Sequence, residues 1–577
     1  MAEAANKKPG WKTLLSAMGN RKTVFMTLFG FAAGLPYALL LGTLYAWLSE
    51  AEVDLETMGV FSLIGLAYAF KFLWSPLVDR FDLPLLRKLG KRKQWIVTAQ
   101  LVLGAILVTM SLLNPSSSLG WFSLLAGIGA FASATQDVVI DAWRVDVADE
   151  VATIDILSSV YQMGYRLAAL AGGALALILA ERVGWPQVYA IMGALMLTVG
   201  FFGLFAPDVG NRDAQDLVDA DELAELRQPG QISPRVRGWA LLAVGLLWGW
   251  ALLSVGVFMV RSLTAEPELR PDSTAFITTF GPLVILATVV LPALIAGWLV
   301  KMKAAGKHII TEAKPASSTA AQLSDHLYRA LILPLTEFVG RMGWSLVLLL
   351  ALVLTYRITD SIWGTFAYPF YLGELQYTND EVAVASKFFG VGAIIAGLAL
   401  GGLLLTVIGR MATLTLGAVL AALTNLLYAD LAIGGATMSA VSNAIGFTYL
   451  VESFPGGSEK LARLMIAVAG ENLAVGIAGA AYVAYLSSIV ARGYSAVQYA
   501  LLSSLTMLVG TLGRGALGQM IEERGYYYVF IFTMAIGAVA VVLCVLEWIR
   551  QARLGRKAGV IAPEAGESPD HQVAAGA

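Results

Sequence analysis

Long apolar runs dominate this sequence. A helix needs about 20 apolar residues to cross the hydrocarbon of a bilayer, and fourteen stretches here reach or approach that length. Six come first, at 22–49, 58–78, 95–113, 119–139, 154–180 and 185–206. Two follow at 238–260 and 274–299, and six more at 343–372, 381–407, 411–431, 465–489, 497–521 and 526–548. Only helices or closed barrels satisfy every backbone polar group inside lipid. Runs of this length therefore predict an all-α polytopic membrane protein. Composition agrees: of 577 residues 58% are hydrophobic and 14% charged, whereas soluble domains carry about 25% charged residues.

The spacing predicts an organisation. Residues 1–21 form an N-terminal segment, 22–206 a six-helix bundle, and 207–237 a polar linker. Two additional spans occupy 238–300, a second linker 301–341, a second six-helix bundle 342–549, and a disordered tail 550–577. The insertion at 432–462 carries Pro455-Gly456-Gly457 and reads as an outer loop with room for a short interfacial helix. Basic residues mark the cytoplasmic side. Arg87, Lys88, Lys91, Arg92 and Lys93 follow the second span, and Arg550, Arg553, Arg556 and Lys557 follow the last. The opposite loops carry Glu50, Glu52, Asp54 and Glu56, or Glu374, Asp380 and Glu381. Both termini are thus expected in the cytoplasm, with the first span a retained helix rather than a cleaved leader.

A short repeat points to duplicated halves. Gly173-Ala174-Leu175 with Glu181-Arg182 recurs as Gly515-Ala516-Leu517 with Glu523-Arg524, at the end of the fifth span of each six. Internal repeats are common in secondary transporters. The spans also bury charge of both signs: Asp137, Arg166, Arg357, Asp360 and Glu471 all fall within apolar runs. An ionisable group inside a membrane is costly unless paired, hydrated or neutralised, and so marks a functional site. Together these features suit a carrier of something polar or ionic. The single Cys544 excludes an internal disulfide, and three histidines show no metal-ligand spacing. No nucleotide-binding glycine loop or nucleophile–base pair is present, so neither an enzyme nor a cofactor is expected.

Ser75-Pro76-Leu77-Val78-Asp79-Arg80 and the basic loop behind it resemble the cytoplasmic gating motif of the major facilitator superfamily. The stretch from Ala134 to Asp146, ATQDVVIDAWRVD, resembles the fourth-span signature of AmpG-type muropeptide permeases, and more loosely that of acetyl-CoA transporters. Gly30-Phe31-Ala32-Ala33-Gly34-Leu35-Pro36, Glu471-Asn472-Leu473 and the 495–503 stretch are further matches. The resemblance covers the two sets of six spans but not the central pair or the 432–462 insertion. It implies a monomeric, proton-coupled inner-membrane importer of anhydro-muropeptides from periplasm to cytoplasm. That activity would serve peptidoglycan recycling and influence β-lactamase induction. Its partners would be the glycopeptide, protons and membrane lipid, with no nucleic acid. A carrier of the same fold for another anionic solute, such as acetyl-CoA or a peptide, is the alternative.

Asp137 and Asp141 lie four apart and share a helix face, so both are candidates for proton coupling, with Glu471 and Asp360 in the second half. The competing reading of Asp137 is a structural ion pair with Arg144, Arg166 or the Arg80 loop. Gln136, Arg166, Arg357 and Asn472 are candidates for substrate contact, and Tyr37, Tyr45 and Trp47 for stacking on sugar rings. Arg357 and Asp360, three apart, could also satisfy each other. Asp79, Arg80 and Arg144 are read as gate residues. Gly30, Gly34 and Pro36 are either hinge elements or helix-packing positions. Lys71, near the inner face, is read as a structural side chain that snorkels to the interface.

Overall fold

The computed structural model describes residues 17–53, 63–84, 86–207, 221–264, 269, 271–312, 318–357 and 366–561. The first half contains α1 (Arg21–Glu50), α2 (Leu63–Ala69), α3 (Ser75–Arg80), α4 (Lys93–Ser111), α5 (Leu119–Val147), α6 (Ile154–Val183) and α7 (Trp185–Gly203). The central helices are α8 (Pro234–Thr264) and α9 (Thr278–Ala304), followed by the linker helices α10 (Thr319–Leu331) and α11 (Leu333–Met342). The second half contains α12 (Ser345–Tyr356), α13 (Asn379–Val407), α14 (Arg410–Ala432), α15 (Ala436–Ala444), α16 (Phe447–Glu452), α17 (Glu459–Ile489) and α18 (Ser495–Ile561). Among the described residues, eleven helices are long and apolar enough to cross a membrane, or twelve if the bent pair α11–α12 is one span. The sequence reading expects fourteen. Its second span is interrupted at Lys71–Leu73 by a tight 3-10 turn, and α18 joins the last two expected spans across a kink at Gly525. The 432–462 insertion, read as a loop with room for one short helix, contains two, α15 and α16.

Each half is drawn together by glycines where helices cross. A Cβ at Gly30 or Gly34 of α1 would strike the Tyr161 or Tyr165 carbonyl of α6, and one at Gly164 would strike Thr27 in return. In the second half Gly397 of α13 and Gly476 of α17 abut the Leu473 and Ile394 carbonyls in the same way. Without Cβ atoms the backbones approach closely, which is how small residues promote helix association in lipid. Gly30 and Gly34 thus act in packing. The repeat is also visible in the turns: Gly184 and Gly525, just after the two Glu-Arg pairs, share a left-handed φ of 85° and 79°. Gly90 and Gly409, opening α4 and α14, match them at 97° and 90°.

Prolines inside helices free carbonyls that lipid cannot solvate, and side chains take them up. Pro36 frees the Ala32 carbonyl, which accepts from Gln136 Nε2 at 2.7 Å. At the break before α3, the Phe72 carbonyl accepts from the Ser75 hydroxyl at 2.8 Å. Pro292 frees Thr288, and Trp248 Nε1 donates to it at 3.0 Å. That last bond joins the central helices α8 and α9. Trp248 also meets Phe72 edge-on at 6.2 Å, so the extra pair packs beside the broken second span.

Candidate functional site

Polar contacts between the halves gather at the end that carries the 81–92 loop. Arg92 lies there almost wholly buried, held by Asp79 at 2.7 Å and Asp146 at 2.8 Å. It also donates to Ser495 Oγ of the second half at 3.0 Å. Asp79 accepts the Val497 amide at 3.0 Å, which places a carboxylate on the N-terminus of α18, where helix amides and dipole favour negative charge. Arg144, fully buried, binds Asp141 at 2.9 Å and Ser487 Oγ of α17 at 3.0 Å. Its guanidinium lies 4.8 Å over the Tyr161 ring and 5.0 Å over Tyr499, one from each half. Arg410 reaches Asp155 at 2.8 Å, and Arg492 the Ala148 carbonyl at 2.9 Å.

The linkers lie across this seal. Glu222 accepts from Arg329 of α10 at 2.7 Å and from the Tyr494 hydroxyl at 3.3 Å, and sits 3.8 Å from Arg80. Burial and the Glu222 carboxylate hold the Tyr494 phenol above its usual range, so it stays a hydroxyl able to donate. Gln498 donates to Glu337 at 2.7 Å and to the Pro334 carbonyl at 3.0 Å, tying α11 to α18.

Beyond the seal a cavity of about 450 Å³ lies between the halves, within the range of about 300–1,000 Å³ typical of small-molecule sites. The first half lines it with Tyr37, Tyr68, Lys71, Asp137, Asp141, Tyr161, Gln162, Tyr165 and Arg166. The second half adds Arg357, Tyr482, Tyr499, Ser503 and Thr506. Lys71 Nζ stands 3.7 Å from Asp137 and 3.9 Å from Asp141. The wall thus combines aromatic faces with three cations and two carboxylates. A larger cavity, about 910 Å³, borders Phe389, Phe447 and Phe454, but second-half residues alone line it, so relative motion of the halves would not gate it.

The expected site residues therefore divide. Asp137, Asp141, Arg166, Arg357 and Tyr37 face the cavity, and Asp79, Arg80 and Arg144 belong to the seal. Gln136, expected to meet substrate, is fully buried and spends its amide on Ala32. Trp47 is packed between Phe122 and Tyr189 in the first-half core, and Tyr45 is half-buried away from the cavity wall. Glu471 accepts from the Tyr428 hydroxyl, itself 3.0 Å from Tyr371, inside the second half. Asn472 donates to Val468 of its own helix at 2.8 Å. Asp360 lies outside the described residues. Lys71 does not snorkel: its side chain is buried against two carboxylates. The sequence signal nearest to it is Pro76, which suits the first turn of a new helix and so marks a helix start at α3 just after Lys71.

A family model described as acetyl-coenzyme A transporter 1 matches residues 23–119. The anhydromuropeptide permease of Escherichia coli (strain K12) is 27% identical over 537 residues, covering 92% of this chain and 81% of that protein. A Rickettsia conorii protein named as AmpG 4 is 25% identical, covering 89% and 93%. Two solved structures share the architecture. The human organic anion transporter MFSD10 aligns at a TM-score of 0.53 and 13% identity, over 91% of this chain and 99% of that one. The proton:xylose symporter XylE aligns at 0.51 and 11% identity, over 92% and 95%. Two helical bundles around a cavity at their interface put the chain in the class of proteins with the major facilitator fold. Within that class, the chain is homologous over most of its length to the AmpG-type anhydromuropeptide permeases. Among the described residues, no group of His, Cys, Asp and Glu could hold a metal ion.

Proposed function

We propose that this protein is a proton-coupled symporter that imports anhydro-muropeptides from the periplasm across the bacterial inner membrane for peptidoglycan recycling. The observation that carries the reading is the interface cavity, which sets a Lys71–Asp137–Asp141 cluster beside Arg166, Arg357 and a ring of tyrosines. Tyrosine faces suit the apolar faces of sugar rings. Arg166 and Arg357, one from each half, suit a peptide carboxylate. Asp137 is the proton carrier in this reading, because it faces the cavity and is not clamped by an arginine. The basic loops support a cytoplasmic position for the sealed end, and on that reading the cavity belongs to the outward-facing state. Homology to a permease of these compounds supports the substrate.

The test is uptake of radiolabelled N-acetylglucosaminyl-anhydro-N-acetylmuramyl tripeptide into membrane vesicles, with and without a proton gradient. Gradient-dependent accumulation is expected, and Asp137→Asn is expected to abolish it while the protein remains in the membrane. Uptake indifferent to the gradient would exclude symport. A second reading, a carrier of another anionic solute, draws on the acetyl-coenzyme A transporter match and would be favoured by no muropeptide uptake at all.

A further inference from the structure

We infer that Lys71 is the positioning residue that couples proton occupancy of the cavity to the gate. The inference rests on the proton-coupled reading above and names the device within it. Lys71 sits between the two carboxylates, 3.7 Å from Asp137 and 3.9 Å from Asp141, at a slightly long range to each. Asp141 is shared: its other oxygen holds Arg144 at 2.9 Å, and Arg144 holds Ser487 of the second half at 3.0 Å. A continuous path thus runs from a cavity-facing acid to a contact that keeps the halves together.

Charge balance gives the path a direction. Lys71 and Arg144 carry two positive charges, and Asp137 and Asp141 two negative, so the buried set is neutral when both acids are ionised. A proton from the outer water adds to a carboxylate oxygen of Asp137 and leaves one uncompensated positive charge. In a low-dielectric site such an excess is costly. Two responses relieve it. Lys71 closes on Asp141, competes with Arg144 and loosens its hold on Ser487, or an anionic ligand enters and supplies the missing charge. Proton first, anion second is the binding order that follows.

The other groups around Asp137 do not offer this exchange. Tyr68 of α2, Tyr161 and Tyr165 of α6, Tyr37 of α1 and Tyr499 of α18 present phenols, and the Tyr68 hydroxyl donates to Ser133 at 2.7 Å. Arg166 and Arg357 line the same cavity but do not bridge the two acids. The span break at Lys71–Leu73 fixes the base of the Lys71 side chain on the cavity wall.

The experiment reads the gate itself and needs no substrate. Nitroxide labels on Val151 and Ile408, exposed positions in loops of the two halves at the sealed end, report the separation from about pH 5 to about pH 9, a window wide enough for a buried carboxyl. The wild-type protein is expected to shift toward the parted state as pH falls. Lys71→Met should flatten that response at least about tenfold in the equilibrium ratio, and Lys71→Arg should keep it. Joining Lys71→Met with Asp137→Asn restores neutrality, and that variant should fold and stay pH-insensitive. A Lys71→Met protein that titrates like wild type would overturn the inference. So would a wild-type gate indifferent to pH, or a Lys71→Arg as flat as Lys71→Met. Failure of muropeptide uptake in wild-type vesicles would instead overturn the substrate reading and leave this readout intact.

Discussion

Asp79 offers the sharpest test of how the sealed end is held. It makes one bond within its own half, to Arg92 at 2.7 Å, and one across the seam, from the Val497 amide at 3.0 Å. Parting the halves breaks only the second, so Asp79→Ala weakens the sealed state relative to the parted one by that contact. A hydrogen bond to a charged group contributes about 1.5–3 kcal/mol, and a carboxylate at a helix N-terminus up to about 1 more. Together the two ranges give about 2–4 kcal/mol. At about 1.4 kcal/mol per decade, the sealed-to-parted ratio should fall between about 30-fold and about 1000-fold. Asp79→Asn keeps an oxygen for Val497 and loses only the charge, so its shift should be about 1–2 kcal/mol, or about 5-fold to 30-fold. Arg92 retains Asp146 in both variants, which protects the fold. The Val151–Ile408 label pair, in a background with Cys544→Ala, measures the two populations directly. An unchanged distance distribution in Asp79→Ala would refute the assignment of this contact as a lock. An Asn variant that shifts more than Ala would refute the charge argument.

Two further predictions concern the scaffold. Gly164→Ala places a Cβ against the Thr27 carbonyl, where no flexible atom can yield, and should cost at least about 1–3 kcal/mol as overpacking. Gly173→Ala meets nothing within 4 Å and should stay within about 0.5 kcal/mol; thermal unfolding in detergent compares the two. Gln136→Leu strips the Ala32 carbonyl of its donor and should cost about 1–3 kcal/mol. In a Pro36→Ala background the residue-36 amide can reach Ala32, so most of that cost should vanish. A double-mutant cycle with a coupling below about 0.5 kcal/mol would refute the pairing.

Much of this was legible in the sequence because lipid imposes simple rules. Apolar runs gave the helices, the Glu-Arg repeat pointed to duplication, and the apolar setting of Asp137 flagged the cavity. Other features were hidden by their dependence on a third dimension. Gln136 and Asp137 are adjacent and equally polar, yet one faces helix α1 and the other the cavity; which does which follows from the rotation of α5, fixed by neighbours far away in sequence. Lys71 reaches the interface only if its span is one straight helix, and the turn at Lys71–Leu73 breaks that helix. Trp47 sits in an aromatic stretch suited to sugar stacking, but an inward-facing position and two ring partners commit it to the core. Glu222, in a polar linker without apolar pattern, gave no signal at all, since its importance comes from bringing Arg80, Arg329 and Tyr494 to one point.

The buried charges of this chain solve two different problems, and the solutions need different surroundings. Arg92 stands 2.7–2.8 Å from Asp79 and Asp146, buried in the seal. Removing one partner of such a cluster is costly, about 3–5 kcal/mol, and so it suits a fixed base from which Asp79 and Arg92 reach Val497 and Ser495 of the other half. Lys71 and its two acids stand near 4 Å apart on a cavity wall, where the net attraction is weaker and a single proton can reorder the set. Arg144 joins the cavity cluster to the other half. It touches Asp141 on the cavity side and Ser487 and Tyr499 on the side of the other half. A carrier must let the occupancy of its site decide whether its gate can part, and that decision requires one residue to answer to both. On the proposed function Arg144 would hold that position, so replacing the loose Lys71 cluster by a tight, fully matched one would be expected to stabilise the protein and stop it from working.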